Sequence, residues 1–414
     1  MSQLLSVAEA QQRLLSVFTP LEIEMVPIAE AIGRVLARAV QAAADYPSFD
    51  NSSMDGFAVR VADVHGASPE HGVTLDVVTD IPAGRFVDVR LQPGQAARIM
   101  TGAPLPPGAE AVIPVEDTDF NERQPGVHAP ARVQIYRSTQ SGENIRPRGQ
   151  DIHMGELVLP AGQRLRPQDI GLLALLGIGT VAVHRLPKVA VFSSGDELVP
   201  VSSRLSAGQI HDSNSYTLIA QIEKYGGQAV NLGIVRDDLA AVKACLDRAV
   251  EEGVDLIISS AGVSVGAFDF VRHIVEQGGH LDFWRVNMRP GKPLAFGSYG
   301  TIPYVGLPGN PVSAFIGFEV FVRLAILKMN GDQTDQRSTQ RVRITEPIES
   351  DGRESYLRAI VSHQAGVWSA HLTGHQGSGN LRSLVQANAL LLVPSGVKSL
   401  PIGAELDAWL LDSA

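Results

Sequence analysis

Between residues 188 and 330, short runs of continuous apolar residues alternate with longer stretches in which apolar positions recur every three or four residues. Val189-Ala190-Val191-Phe192, Leu232-Gly233-Ile234-Val235, Leu256-Ile257-Ile258-Ser259 and Ile302-Pro303-Tyr304-Val305 read as strands buried on both faces. Helices are expected to open at Asp212-Ser213-Asn214, at Asp238, near Asp269 and at Pro311, each a good N-terminal signal. Gly226-Gly227 and Gly253 end two of them. Such alternation predicts a parallel sheet covered by helices on both faces.

The flanking pattern differs. Ser6-Val7-Ala8-Glu9 is a capping box, and Val7, Ala10, Leu14 and Val17 repeat on one helical face. From about Tyr46 to Arg146, strand candidates at 73–79, 97–100, 111–115 and 133–136 are separated by Gly/Pro clusters, which reads as a small β-rich module. Helical periodicity returns at 167–176, so that module is read as an insertion. In the tail, 341–348, 356–361, 367–373, 389–393 and 405–411 read as strands of a small β-barrel or sandwich. The expected division is a discontinuous linking domain (1–46 and 147–187), an inserted β-rich domain (47–146), an α/β domain (188–332) and a C-terminal β domain (333–414).

Composition narrows the field. At 414 residues the chain is too long for one core. No apolar run is long enough to span a bilayer, and Met1-Ser2-Gln3-Leu4 does not begin a secretory signal, so a cytoplasmic protein is expected. The lone Cys245 falls on the stripe Val242, Cys245, Leu246, Ala249 and reads as a core thiol. A formal charge of −10 with no basic stripe argues against nucleic acid as a general partner. Local clusters at Arg146-Pro147-Arg148, 285–292 and 353–358 suit a small anion, although each alone could be a solvated surface.

The candidate chemistry lies in four loops that follow the four strands. They are Ser193-Ser194-Gly195-Asp196-Glu197-Leu198, Arg236-Asp237-Asp238, the stretch 262–269, and Gly306-Leu307-Pro308-Gly309-Asn310-Pro311. Ligands of open α/β sheets bind outside the carboxyl ends of the strands. Glycine backbone allows close approach there, and helix N-termini suit phosphate. Asp196, Glu197, Asp237 and Asp269 come from three successive strand ends, and carboxylates without Cys ligands favour a hard cation such as Mg²⁺. Asp238 and Asp269 could instead simply cap helices. Gly177-Ile178-Gly179-Thr180-Val181-Ala182 fits a dinucleotide fingerprint but has helix before it and strand after it, the wrong order. There is no G-x-x-x-x-G-K-[ST] loop and no H-E-x-x-H pair.

Eight segments in order carry a more specific signal: 51–59, 100–103, 144–151, 194–198, 262–266 with Asp269, Arg289-Pro290-Gly291-Lys292-Pro293, 306–313 and Gly377-Ser378-Gly379. With them the chain closely resembles the molybdopterin molybdenumtransferase family, the bacterial MoeA proteins and the E domain of gephyrin. The resemblance implies a multidomain α/β homodimer. Its central parallel-sheet, molybdopterin-binding domain is similar to the molybdopterin adenylyltransferase fold and is joined by an inserted β-rich domain, a linking domain and a C-terminal β-barrel domain. It implies a reaction of adenylylated molybdopterin with molybdate that gives the molybdenum cofactor and AMP, assisted by Mg²⁺. The adenylyltransferase of the same pathway is a further expected partner.

Family functional acids match Asp55, Asp151, Glu197, Asp237 and Asp269, and a functional threonine matches Thr101. Glu197, Asp237 and Asp269 are the implied metal ligands. Substrate and anion contacts are expected from Arg146, Ser194, Gly195, Gly262, Ser264, Arg285, Arg289, Lys292, Pro308, Pro311 and Ser313, with Arg358 and Ser383 in the tail. The chain departs from the family pattern at Ala261 and Ala267, and carries Arg285 and Arg289 where Lys is often found. Two other readings share these features: a nucleotidyltransferase or pyrophosphatase acting on another nucleotide, and a non-catalytic gephyrin-like scaffold. Retention of all the acids favours catalysis.

Overall fold

The computed structural model describes residues 4–120, 127–261, 275, 277–333 and 337–411. The chain divides into two compact units, Ala39–Pro160 with Leu172–Ile178, and Met1–Arg38 with Ala161–Gly171 and Gly179–Ala414. The capping box forms at the start of α1 (Val7–Ser16): Ser6 Oγ accepts from Glu9 N at 3.2 Å, and the Glu9 carboxylate accepts from Ser6 N at 2.9 Å.

The smaller unit is built on five strands, β1 (Gly56–Val59), β2 (Val73–Ile81), β3 (Gln95–Ile99), β4 (Ala111–Pro114) and β5 (Arg132–Ile135), in the order β4-β1-β3-β2-β5. Only β2 and β3 run parallel. Both faces of β1 are buried. Phe57 and Val59 pack with Ile113, Val133 and Ile135, while Ala58 packs with Ile81, Ile99 and Val112 on the other side. Gly56 is required because a Cβ there would lie 2.0 Å from Ile113 O. Beside this sheet Asn51–Ser52 pairs antiparallel with Ile145–Arg146.

In the larger unit the central sheet has six strands, β6 (Lys188–Ser194), β7 (Gln228–Val235), β8 (Leu256–Ala261), β9 (Gly279–Arg285), β10 (Pro293–Tyr299) and β11 (Ile302–Pro308). The order is β7-β6-β8-β11-β10-β9. The first four are parallel, and β10 and β9 extend the sheet antiparallel. The sheet is therefore mixed where the sequence predicted parallel strands alone. A tight turn at Gly300 (φ 56°) joins β10 to β11, a connection open only to antiparallel neighbours. Successive residues of β6 enter opposite cores, Val189 and Val191 on one side and Ala190 and Phe192 on the other. That two-sided burial is why the run is apolar throughout.

Helices α3 (Asn214–Lys224), α4 (Leu239–Glu251) and α5 (Pro311–Gly317) start at the expected caps. Asp238 accepts from Ala240 N at 2.9 Å and Ala241 N at 3.1 Å. The buried stripe of α4 is Val242, Cys245, Leu246 and Ala249, and burial pushes the Cys245 thiol up to about 11. The tail strands β12 (Thr339–Ile344), β13 (Glu354–Gln364), β14 (Val367–Leu372), β15 (Ala389–Val393) and β16 (Glu405–Leu410) pair in the ring β13-β14-β12-β16-β15-β13. This is a closed five-stranded barrel, not a sandwich. Met288–Arg289 adds a short parallel strand to β13. Among the described residues no helix is long and apolar enough to cross a membrane.

Candidate active site

The strand ends of the α/β sheet are tied by a buried polar network. Ser193 Oγ donates to Asp212 Oδ1 at 3.0 Å and lies 2.9 Å from Ser215 Oγ, while Asp212 Oδ1 also accepts from Ser215 N at 3.1 Å. Asn214 Nδ2 donates to Ser260 Oγ at 2.6 Å and to Gly309 O at 2.7 Å, linking the start of α3 to the end of β8 and the loop after β11. Asp212, Asn214, Ser260 and Gly309 border a cavity of about 710 Å³ that Ser194, Glu197, Asn310 and Pro311 also line.

The acids gather at one end of it. Gly195 has φ 154°, and a Cβ there would meet the Glu197 carboxylate at 2.7 Å, so only glycine lets Glu197 fold back over the strand end. Asp237 N donates to Asp196 Oδ1 at 3.4 Å. Burial raises the pKa of Asp237 above the ordinary carboxylate value, and the neighbouring charges of Asp196 and Glu197 raise it further. Asp237 Oδ1 and Ser194 Oγ are both buried without a hydrogen-bond partner among the described residues. The Ser194 hydroxyl is near enough to Asp237 to soften that rise. Asp269, Gly262 and Ser264 lie outside the described residues.

Among the described residues no three His, Cys, Asp or Glu side chains form a metal-binding group. A hard cation that shares itself with substrate phosphates needs only one or two carboxylates, and the orphaned oxygen of Asp237 beside Glu197 fits that demand.

A second cavity, of about 340 Å³, has one wall from the α/β sheet and one from the barrel. Arg289, Lys292, Pro308 and Ser313 line the first wall; Arg353, Gln376 and Ser378 line the second. Gly291, at φ 100°, makes the turn between the two cations. Asn310 borders both cavities, and its Nδ2 donates to Ser378 Oγ at 2.9 Å. Arg358 lies wholly buried in the barrel wall, 0% exposed. Its Nε donates to Ser383 Oγ at 2.9 Å, and one Nη donates to His375 O at 3.2 Å and Gly377 O at 3.1 Å. The other Nη has no partner, and among the described residues no carboxylate bonds to this guanidinium. Burial, and then the like charge of Arg289, pull its pKa down to about 10. Arg285 is exposed at the end of β9 and lines neither cavity.

In the smaller unit the expected residues fall into two pairs. Thr101 donates to Asp55 Oδ1 from both its N and its Oγ1, each at 2.7 Å, beside a cavity of about 270 Å³ that Arg98 and Glu116 share. Arg146 and Asp151 line another cavity, of about 470 Å³.

The sequence reading missed Asn214, Ser260 and Gln376 as lining residues, while Asn310 and Arg353 lay within the candidate loop and the basic cluster it singled out. Asp212-Ser213-Asn214 was read as a helix start, which it is, but a cap and a cleft lining look alike in sequence. Nothing local marks Gln376, whose Oε1 accepts from Arg358 N at 2.9 Å across 18 residues.

Comparison with known proteins supplies the remaining observations. Residues 5–177 match the MoeA N-terminal region (domain I and II), 190–328 a probable molybdopterin binding domain, and 341–411 the MoeA C-terminal region (domain IV). A molybdopterin molybdenumtransferase of Nostoc sp. is 39% identical over 390 residues, 92% of this chain and 87% of its own. Molybdopterin molybdenumtransferase 2 of Mycobacterium tuberculosis is 40% identical over 391 residues, 93% of this chain and 94% of its own. Two crystal structures of the molybdopterin biosynthesis MoeA protein of Pyrococcus horikoshii match with TM-scores of 0.83 and 0.80 at 31% and 30% identity. They cover 100% and 99% of this chain and 100% of their own.

Proposed function

We propose, for a chain that belongs to the MoeA family of molybdopterin molybdenumtransferases, that it transfers molybdenum from molybdate to adenylylated molybdopterin, giving the molybdenum cofactor and AMP. The observation that carries this reading is the Arg358 guanidinium, buried with no carboxylate bonded to it among the described residues, behind a cavity lined by Arg289 and Lys292. Two cations in the cavity wall with a third buried behind it suit a small oxyanion such as molybdate. The adjoining cavity, with Ser194, Glu197 and Asn214, is large enough for a nucleotide, and Asn310 is common to both.

Glu197 and Asp237, with Asp269, would hold Mg²⁺, which when bound offsets charge on the pyrophosphate. Asp237, held above its ordinary pKa by burial and by the charges of Asp196 and Glu197, would be relieved by a cation beside its unpartnered Oδ1. Arg289 and Lys292 orient the oxyanion, and the strand-end hydroxyl of Ser194 faces the phosphates. The sulfur ligands of the product come from the substrate, because Cys245 is buried in a helix stripe. The working form proposed is a cytoplasmic homodimer in which Asp55 and Thr101 of one subunit face the cleft of the other, with the pathway's adenylyltransferase supplying substrate.

The test is incubation with adenylylated molybdopterin, Mg²⁺ and either molybdate or tungstate, following AMP and active cofactor together. AMP release coupled to cofactor formation is expected. AMP release without cofactor would indicate a pyrophosphatase, and neither product would indicate a scaffold.

A further inference from the structure

We propose that the cavity of about 470 Å³ in the smaller unit binds the pterin ring of the substrate, with Phe49 stacked on the ring face and Asp151 and Arg146 reading its edge. This rests on the reading above that the substrate is a molybdopterin. In the proposed dimer the ring belongs to substrate held by the other subunit.

Phe49 is 46% exposed at the cavity wall. An exposed aromatic on a loose loop would need no explanation, but this loop is pinned on every side. Asn51 Nδ2 donates to Phe49 O at 3.3 Å, Leu105 N to Asp50 O at 2.9 Å, Arg148 N to Asp50 Oδ1 at 2.7 Å, and Gly149 N to Pro47 O at 2.9 Å. The fold thus holds a large apolar face open to the cavity when the chain could have buried it elsewhere.

The second observation is electrostatic. Asp151 and Arg146 line the same cavity with opposite charges, yet neither side chain makes an ion pair or hydrogen bond among the described residues. Nearby, Arg148 and Asp45 do pair, at 2.7 Å. The backbone that carries Asp151 is fixed, with Asp151 N donating to Tyr46 O at 3.0 Å. A carboxylate and a guanidinium kept apart across one cavity match a ligand that presents donors and an acceptor along one edge. The pterin edge offers a 2-amino group and an N3–H, which suit the two oxygens of a carboxylate, followed by a ring carbonyl, which suits arginine. Adenine offers one donor and one acceptor on its corresponding edge and matches a carboxylate poorly. The cavity on the other side of Phe49, about 570 Å³, is walled by Phe86 and the Pro104 to Pro107 turn, and its Asp50 carboxylate is already occupied by Arg148 N. Arg85 lines it as well, but with Asp50 Oδ1 so occupied only one carboxylate oxygen is left to read a donor edge.

The experiment uses the full chain and neopterin, whose fluorescence is quenched by stacking. Wild type should bind neopterin, and AMP should not displace it. Phe49→Ala and Asp151→Asn should each weaken binding about tenfold or more, Phe49→Trp should retain it, and Phe86→Ala should change nothing. In turnover, Phe49→Ala should raise KM for adenylylated molybdopterin about tenfold while the molybdate half-saturation point stays put. Absence of neopterin binding by wild type, an equal loss in Phe86→Ala, or an unmoved KM in Phe49→Ala overturns the proposal. If wild type releases AMP normally and only these outcomes appear, the cavity assignment fails alone. If wild type releases no AMP, the reaction fails, and the neopterin titration judges the cavity by itself.

Discussion

Replacing Arg358 by Met should cost stability while removing the protein's response to molybdate. The guanidinium makes three bonds to neutral acceptors, one Nη makes none, and no carboxylate bonds to it among the described residues. Its fall to about 10 corresponds to about 3 kcal/mol of unfavourable burial at neutral pH. Against this stand the lost hydrogen bonds, whose charged donor makes each worth about 1.5–3 kcal/mol. Three such bonds sum to about 4.5–9 kcal/mol, so a net loss of about 1.5–6 kcal/mol is expected.

The ligand separates the two proteins. Molybdate at about a hundred times its Kd should stabilise wild type by about 2.7 kcal/mol and Arg358→Met by far less. The pH dependence has a definite sign. A cation whose pKa is lowered by folding destabilises the fold fully at pH values below about 10, and that penalty fades as pH rises through it. The deficit of Arg358→Met should therefore widen in alkali. Thermal melting of the full chain with and without molybdate, at pH 8 and above pH 10, reads all of this. An equal molybdate shift in both proteins, or a variant no less stable than wild type at pH 8, would refute the reasoning.

Two further outcomes are expected. A carboxyl with a raised pKa contributes stability below the ordinary carboxylate value and loses it as pH rises through the raised one, so Asp237→Asn should melt higher than wild type at pH 8 and no higher at pH 4, while AMP release falls; a variant that melts lower at pH 8 would contradict the assigned cause. Mixing Asp55→Ala with Asp237→Asn subunits should restore about half of wild-type activity in heterodimers, because each has one intact composite site; verified heterodimers without activity would exclude the proposed assembly.

What could be read in the sequence depended on how many faces of an element are buried. β6, β8 and β11 stood out because residues on both faces enter cores, which forces uninterrupted apolar runs. β9 lies at the sheet edge and mixes His280 and Asp282 with Leu281 and Phe283, so it carried no such mark. β1 was missed for another reason. Gly-Phe-Ala-Val has a single β-branched residue, and its identity as a strand comes from the strands on either side. The rejected fingerprint at Gly177 is a turn from helix α2 (Pro167–Leu175) to the strand Thr180–His184, with Gly177 at φ 72°.

In the candidate site, Ser194, Glu197 and Asp237 were legible because they follow apolar runs at strand ends. Arg358 was legible as the end of a basic cluster, and its role only through the family resemblance. In sequence it is a polar residue within a strand, and its burial arises from the His375 to Gly377 loop and Ser383, 17 to 25 residues away. The pairing of Phe49 with Asp151 and Arg146 depends on a fold that closes over about a hundred residues, which no local pattern conveys.

Asn310 gives the cavities of about 710 and 340 Å³ a common wall, and its bond to Ser378 fastens the barrel loop to the start of α5. Occupants on either side of one side chain are thermodynamically coupled if either displaces it. The coupling must then be reciprocal: whatever factor a bound nucleotide applies to oxyanion affinity, the oxyanion applies to nucleotide affinity. A nucleotide that tightened the hold on molybdate would itself be held until molybdate left, and the order of product release would follow from the position of one amide.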